Sequence, residues 1–239
     1  MRVLVGMVLG LIACDAGALP LPPPSAPAPA PSTKVVAPVE PPAPAPVPPP
    51  VPPPPPPRPA SGAKHAPAAV IVVVDRSGSM QGAKLEAAKQ AARVVVETLE
   101  PSDEVGVIAF DSESRIVAPL QRDSARASIE TAIGAIAAGG GTNVYPALKD
   151  AVGALRDSKL AYKHIILLTD GEAPYDGLAE LLQDAVTAHI TISAVGVEGA
   201  DRNRLTLIAD AGHGRLYVVG KLEALPEVFR SEVKEALDR

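Results

Sequence analysis

Five oxygen-bearing side chains stand out in this sequence, because they lie in three short stretches that adjoin apolar segments. The stretches are DRSGS, GGGTN and TDG, and the five residues are Asp75, Ser77, Ser79, Thr142 and Asp170. Together they offer two carboxylates and three hydroxyls, with no sulfur or imidazole. Hard oxygen ligands of low total charge suit Mg²⁺, with Mn²⁺ or Ca²⁺ as alternatives, and argue against zinc and copper. The pattern therefore indicates a cation site, provided that the fold brings the three stretches together.

The segment before the first stretch predicts how it is positioned. Val70 to Val74 are five consecutive apolar residues, which is typical of a strand buried on both faces of a parallel sheet. Asp75 then lies at the carboxyl end of that strand, where open α/β sheets bind ligands. In an extended loop alternate residues point the same way, so Asp75, Ser77 and Ser79 can face one point, and Gly78 is expected to permit a tight curve.

The remaining segments alternate between strand and helix patterns. Apolar residues recur at helical spacing in KLEAAKQAARVVVETL, whereas HIILL and ITISAVGV read as strands. EVGVIAF and RIVAPL are two strands separated by the polar DSES, which predicts a hairpin. The order predicts an α/β fold with a doubly wound, mostly parallel central sheet and helices on both faces.

Each polar residue also has a purely structural interpretation. Ser77 and Ser79 could cap the following helix, Thr142 or Asn143 could cap another, and Asp170 could end its strand in a turn. Taken singly, capping is the commoner role for such residues. Taken together at the ends of alternating elements, they favour a metal site.

At this point the chain from about Ala68 to the C terminus resembles a von Willebrand factor type A domain. The metal-ion-dependent adhesion site of that family uses D-x-S-x-S, a threonine from a later loop and an aspartate from a later strand end, which match the five residues above. Further stretches, such as VGVIAFDS and ILLTDGEA, are similar to bacterial members. The resemblance implies a Rossmann-like fold and a bound cation whose outward position accepts an Asp or Glu of a partner protein. Arg76 is not part of the motif, and we expect it to be solvated.

Two rival functions remain at this stage. A divalent cation with two carboxylates also describes a phosphatase, but phosphatases with an aspartate nucleophile place a second Asp where Ser77 stands, and no general acid is evident. The four histidines, at positions 65, 164, 189 and 213, are scattered and are expected to be structural or solvated. No catalytic residue is therefore predicted, and a metal-independent scaffold is the other alternative.

The N terminus resembles the signal peptide of a bacterial lipoprotein. Arg2 is followed by an apolar stretch from Val3 to Ala13, and LIAC ends at Cys14, the only cysteine of the chain. The resemblance implies cleavage before Cys14 and lipid attachment to it, whereas the alternative is an ordinary cleavable signal. Two or more acyl chains would anchor the protein stably without spanning the membrane. We expect a bacterial envelope location, on the inner or the outer membrane.

A proline-rich segment follows Cys14. Of 28 prolines, 22 lie between Pro20 and Pro59, a composition that favours an extended polyproline II spacer over a folded body. A ligand for proline-recognising domains is the alternative. The predicted organisation is a signal peptide at 1–13, a lipidated cysteine and linker at 14–66, and the von Willebrand factor type A domain at 67–239.

The charge of the folded part excludes one class of partner. From residue 61 onward, 19 Lys and Arg face 25 Asp and Glu, and aromatic residues make up only 3% of the chain. A slightly acidic surface with few rings to stack on bases does not favour nucleic acid. The expected partners are a protein that presents an acidic residue and, through the lipid, a membrane.

Overall fold

A computed structural model of the chain describes residues 65–122, 126–171 and 177–238. The predicted signal peptide, Cys14 and the proline-rich linker lie outside these residues, so the domain boundaries and the lipid anchor stay predictions.

The described residues form one six-stranded sheet in the order β3-β2-β1-β4-β5-β6. All neighbouring strands are parallel except β2 and β3. The strands are β1 (Ala68–Asp75), β2 (Glu104–Phe110), β3 (Ser114–Arg122), β4 (Tyr162–Thr169), β5 (Ile190–Gly196) and β6 (His213–Val218). The prediction of a doubly wound, mostly parallel sheet is confirmed.

Helices cover both faces of the sheet and create two separate cores. One core receives side chains from α1, α2 and α6, and the other from α3, α4 and α5. Their bounds are α1 (Ala83–Thr98), α2 (Arg126–Gly134), α3 (Val144–Asp157), α4 (Leu178–Thr187), α5 (Arg202–Ala211) and α6 (Leu225–Leu237). Within the described ranges, none of these helices is long and apolar enough to cross a membrane.

Strand β1 lies in the middle of the sheet and is buried along its whole length. Val70, Val72 and Val74 point into the core beneath α1 and α6, whereas Ile71 and Val73 point into the opposite core. A strand with helices on both sides has no polar face, which explains the uninterrupted apolar run.

The hairpin is also as predicted. Strands β2 and β3 pair antiparallel, joined by a turn of three residues. Strand β3 is the last strand on its side of the sheet, where Pro119 is tolerated because edge strands have an unpaired side.

The sheet order creates the crevice that positions the site. From β1 the chain goes to β2 on one side and reaches β4 on the other, so the connections at the carboxyl ends of β1 and β4 diverge. In the register of these two strands, Val74 pairs with Leu168. Asp75 and Asp170 therefore leave neighbouring strands at the same edge.

Candidate metal site

Asp75 is completely buried at the end of β1 and accepts hydrogen bonds on both carboxylate oxygens. Its Oδ1 accepts from the backbone N–H of Ser77 at 2.7 Å, and its Oδ2 accepts from the hydroxyl of Thr169 at 2.5 Å. Burial raises the pKa of Asp75; the hydrogen bonds from Ser77 and Thr169 act against this, and the negative charge of Asp170 adds to it. The carboxylate is held in place by neutral donors.

A chain of hydroxyls joins the loop after β1 to the end of β4. The Oγ atoms of Ser77 and Ser79 are 3.1 Å apart, and the Ser79 hydroxyl donates to Oδ1 of Asp170 at 2.7 Å. Ser77 and Asp170 are buried, while Ser79 is exposed. Four of the five predicted residues are thus brought together, and the group opens to solvent at Ser79.

Thr142 reaches the same edge through the glycine loop. The N–H of Gly139 donates to the carbonyl of Arg76 at 2.8 Å, and the N–H of Gly78 donates to the carbonyl of Gly140 at 3.1 Å. A Cβ placed on Gly171, directly after Asp170, would be 3.3 Å from the Thr142 hydroxyl oxygen. The loop therefore delivers the half-buried Thr142 beside the end of β4.

The glycine that this arrangement requires is Gly140, not Gly78. Gly140 has a φ of +77°, and a Cβ there would be 2.7 Å from the carboxyl carbon of Asp111. Gly78 lies in a short 3-10 helix, Gly78–Met80, outside the left-handed region, and a Cβ there would make only an ordinary 3.6 Å contact. The expectation of an extended loop was wrong beyond Ser77, and Gly78 turns within the 3-10 helix without a conformation that only glycine adopts.

The helix ends show that Asn143 is a helix cap, as one alternative predicted, and that the hydroxyls of the candidate ligands are not. Helix α1 begins after Gly82, and Ser77 makes no side-chain cap at the 3-10 helix that follows it. The cap of α3 is Asn143, whose side chain accepts from the N–H of Tyr145 at 3.3 Å. Thr142 and the two serines therefore do not serve as N-caps.

Arg76 corrects another expectation, because it is not solvated. Its guanidinium forms an ion pair with Asp111 and donates to the carbonyl of Ala137 at 2.9 Å. Asp111 also accepts from the N–H of Glu113 at 3.0 Å. Arg76 is a structural tie between the loops after β1 and β2.

Two residues at the site were missed in the sequence. Thr169 lies directly before Asp170 and bonds Asp75, and Lys84 donates to Oδ2 of Asp170 at 2.7 Å. Thr169 could have been predicted, because it is the last residue of β4 and the register of β1 and β4 brings it beside Asp75. Lys84 could not have been predicted, because its contact with Asp170 depends on how α1 packs on the sheet.

The donor set fits a hard cation. Carboxylate and hydroxyl oxygens meet at one edge of the sheet. Within the described part of the chain, Lys84 is the one basic side chain paired with either carboxylate. No group of three or more His, Cys, Asp or Glu side chains suited to a metal occurs among the described residues. Three of the five predicted ligands are hydroxyls, so a hard cation held by oxygen is the chemistry that these residues match.

A second polar cluster lies elsewhere in the sheet and surrounds Glu232 of α6, which is completely buried. Its Oε1 accepts from the Ser193 hydroxyl at 2.6 Å and lies 3.0 Å from Nε2 of His164. Its Oε2 accepts from the Tyr217 hydroxyl at 2.7 Å and from Nε of Arg215 at 2.9 Å. His164 is therefore structural, as predicted.

The surroundings of Glu232 favour its charged form. Burial alone would raise the pKa of Glu232, but the hydrogen bond and charge of His164 and the hydroxyls of Ser193 and Tyr217 lower it to about 2. Burial and the Glu232 carboxylate raise the pKa of Tyr217 to about 12. Both groups stay in one protonation state near neutral pH.

Comparison with known proteins decides the family. The model of the von Willebrand factor type A domain matches residues 69–231. The chain belongs to the von Willebrand factor type A family. Domains of this family are mostly protein-interaction modules, and they often bind a metal at a metal-ion-dependent adhesion site.

Individual relatives of this von Willebrand factor type A chain are longer than it is. An uncharacterised protein of Synechocystis sp. (strain ATCC 27184 / PCC 6803 / Kazusa) is 34% identical over 68% of this chain and 40% of its own length. The E3 ubiquitin-protein ligase WAVH1 of Arabidopsis thaliana is 32% identical over 53% of this chain and 21% of its own length. The chain thus spans less than half of these relatives, one of which is named as an enzyme.

Solved structures agree with the fold. The von Willebrand factor type A protein from Catenulispora acidiphila has a TM-score of 0.67 and 31% identity, covering 72% of this chain and 43% of its own. Proximal thread matrix protein 1 from the mussel byssus, described with a zinc-occupied MIDAS motif, has a TM-score of 0.63 at 19% identity, over 72% of this chain and 48% of its own. The latter likeness concerns the fold alone.

Proposed function

We propose that this chain is a lipid-anchored interaction protein of a bacterial envelope. Its domain binds a divalent cation, Mg²⁺ in first place, and through that cation a carboxylate of a protein partner. The proposed metal ligands are Asp75, Ser77, Ser79, Thr142 and Asp170. No catalytic role is proposed.

The observation that carries the metal site is the hydroxyl chain from Ser77 through Ser79 to Asp170. The bond between Ser79 and Asp170 joins residues 91 positions apart in the sequence, and none of these hydroxyls is used as a helix N-cap. Such side chains are oriented toward each other by the fold rather than by local turn chemistry. Opposite them, Asp75 is a buried carboxylate whose hydrogen-bonding partners are neutral.

The proposed partner chemistry follows from the ligand count. Because three of the five ligands are neutral hydroxyls, a divalent cation held by them keeps electrophilicity for a further oxygen ligand at an open coordination position. Because Ser79 is exposed, a side chain of a partner can approach the proposed cation from solvent. An Asp or Glu side chain is the natural hard ligand for such a position.

The metal proposal is tested by thermal unfolding of the purified chain with Mg²⁺, Mn²⁺, Zn²⁺ or a chelator. A cation that binds only the folded state stabilises it by about 2.7 kcal/mol at a hundred times its dissociation constant. We expect Mg²⁺ and Mn²⁺ to raise the melting temperature of the wild type and to leave Asp75→Asn and Asp170→Asn unchanged. Asp210→Asn, at an exposed position on α5, is the matched control that retains the rise. Identical melting curves with cation and chelator would instead support a metal-independent scaffold.

The anchor proposal concerns Cys14 and is tested in bacterial cells. A Cys14→Ser variant should fail to incorporate labelled fatty acid and should leave the membrane fraction, while Asp75→Asn should stay there. Unchanged membrane retention of Cys14→Ser would contradict the lipid anchor without affecting the metal proposal.

A further inference from the structure

Lys84, the second residue of α1, lies directly against the candidate metal site. Its ammonium donates to Oδ2 of Asp170 at 2.7 Å and to the backbone carbonyl of Glu198 at 2.9 Å. The Lys84 side chain is 24% exposed, and that of Asp170 is fully buried. The ion pair is therefore partly shielded from water, which strengthens it relative to a surface pair.

The place of Lys84 is defined by the loop after β5 as well as by α1. Gly199, which follows the carbonyl that Lys84 binds, has a φ of +100°, and a Cβ there would be 3.0 Å from the carbonyl oxygen of Asp170. This loop thus packs closely against the end of β4. Three elements meet around the ammonium, so Lys84 has a fixed position rather than that of a mobile surface side chain.

The two carboxylates of the site consequently have different partners. Both oxygens of Asp170 are used, Oδ1 by the hydroxyl of Ser79 and Oδ2 by the ammonium of Lys84. The oxygens of Asp75 receive only the N–H of Ser77 and the hydroxyl of Thr169, which are neutral. Lys84 thus neutralises one of the two charges that would attract a cation.

We propose that Lys84 is a built-in counter-cation that lowers the affinity of this site for divalent cations. This inference rests on the proposed metal site and goes beyond its ligands. With Lys84 present, the two carboxylates and the ammonium carry a net charge of −1; without the ammonium they would carry −2. Because of the ammonium, an arriving cation meets half the net negative charge that the two carboxylates alone would present. The lower affinity would allow the cation to dissociate and exchange with solvent instead of staying permanently bound.

The test compares cation binding by metal-stripped full-length proteins, using calorimetric titration with Mn²⁺ and with Mg²⁺ at constant ionic strength. Lys84→Met removes the charge and keeps a side chain of similar length, and Lys84→Arg keeps the charge. Lys89→Met is the matched control, because Lys89 lies on the same helix but pairs with Glu86 instead. Circular dichroism of each variant verifies that it is folded.

We expect Lys84→Met to bind Mn²⁺ about tenfold tighter than the wild type, since a single nearby charge shifts affinity on this scale. Lys84→Arg should stay within about threefold of the wild type because its charge is retained. Lys89→Met should stay within about twofold, because its ammonium pairs with Glu86 and not with a carboxylate of the site. An affinity of Lys84→Met equal to or weaker than that of the wild type would overturn the inference, with weaker binding showing that Lys84 supports Asp170 instead.

The same titrations separate failure of this inference from failure of the metal site. If the wild type binds Mn²⁺ and Asp75→Asn does not, the metal site stands whatever Lys84→Met does. If wild type, Lys84→Met and Lys84→Arg all bind no cation, both proposals are wrong.

Discussion

At the carboxyl edge of the sheet, Lys84 pairs with Asp170, whereas Asp75 accepts hydrogen bonds only from neutral donors. In the second cluster, the single carboxylate of Glu232 has two basic partners, Arg215 and His164. The pKa of Asp75 is raised, whereas that of Glu232 is lowered to about 2. A buried carboxylate is thus left undercompensated in one region and fully compensated in the other. The first arrangement is consistent with the proposed cation site, and the second links α6 to the sheet.

The largest effect that tests this contrast is expected from Glu232→Ala. This change removes the buried carboxylate from both His164 and Arg215 and leaves Arg215 only the exposed Glu235, and breaking a buried ion pair in this way costs about 3–5 kcal/mol. The free energy of unfolding is measured by urea denaturation at neutral pH in chelator. A loss below about 1 kcal/mol would mean that the buried ion pairs of Glu232 stabilise the fold no more than surface ion pairs do.

Acid should weaken the same cluster by a similar amount. A carboxyl whose pKa is lowered on folding stabilises the protein above its unfolded pKa, 4.5 for Glu232, and this contribution disappears as the pH falls toward about 2. The stability difference between wild type and Glu232→Gln should therefore shrink by about 3 kcal/mol from pH 6 to pH 2. Urea denaturation across that range measures the difference. A gap that is independent of pH would mean that the charge of Glu232 does not stabilise the fold.

Asp75→Asn should have a much smaller effect on the cation-free protein. Asparagine keeps an oxygen acceptor for Ser77 or Thr169 and removes the repulsion from Asp170. We expect a change of less than about 1 kcal/mol in chelator, measured by the same urea denaturation. A loss as large as that of Glu232→Ala would mean that Asp75 is retained for stability, and the contrast between the two regions would be lost.

The smallest effect is expected from Glu235→Ala, which is the internal reference. Glu235 lies on the same helix as Glu232 and 3.2 Å from the same Arg215 nitrogen, but its side chain is 56% exposed. Exposed ion pairs contribute little, so the loss should be below about 0.5 kcal/mol in the same measurement. Similar losses for Glu232→Ala and Glu235→Ala would show that burial is not what separates them.

Much of the fold could be predicted from the sequence because its signals are local. The apolar run of β1, the helical spacing in α1 and the hairpin of β2 and β3 each appear within a short window. The residues of the candidate site could be proposed because they lie at or within a few residues of the ends of β1, α3 and β4.

The parts that could not be predicted depend on packing between distant segments. Arg76 and Asp111 come from different loops, and Lys84 at the start of α1 meets Asp170 at the end of β4 only through the packing of α1 on the sheet. Glu232 reads in the sequence as an ordinary polar residue of an amphipathic helix, and its burial depends on β4, β5 and β6 presenting polar partners. Local sequence patterns contain no information about contacts between residues that are distant in the sequence.

The register between β1 and β4 has a consequence for when the site can form during folding. Thr169 and Asp75, which are 94 positions apart, bond only when Val74 lies opposite Leu168. A slip of one residue would turn the end of β4 to the other face, and closing so long a loop is a slow step. The proposed cation site can thus be assembled only after β1 and β4 have paired in this register, so a nascent or misaligned chain would not present it.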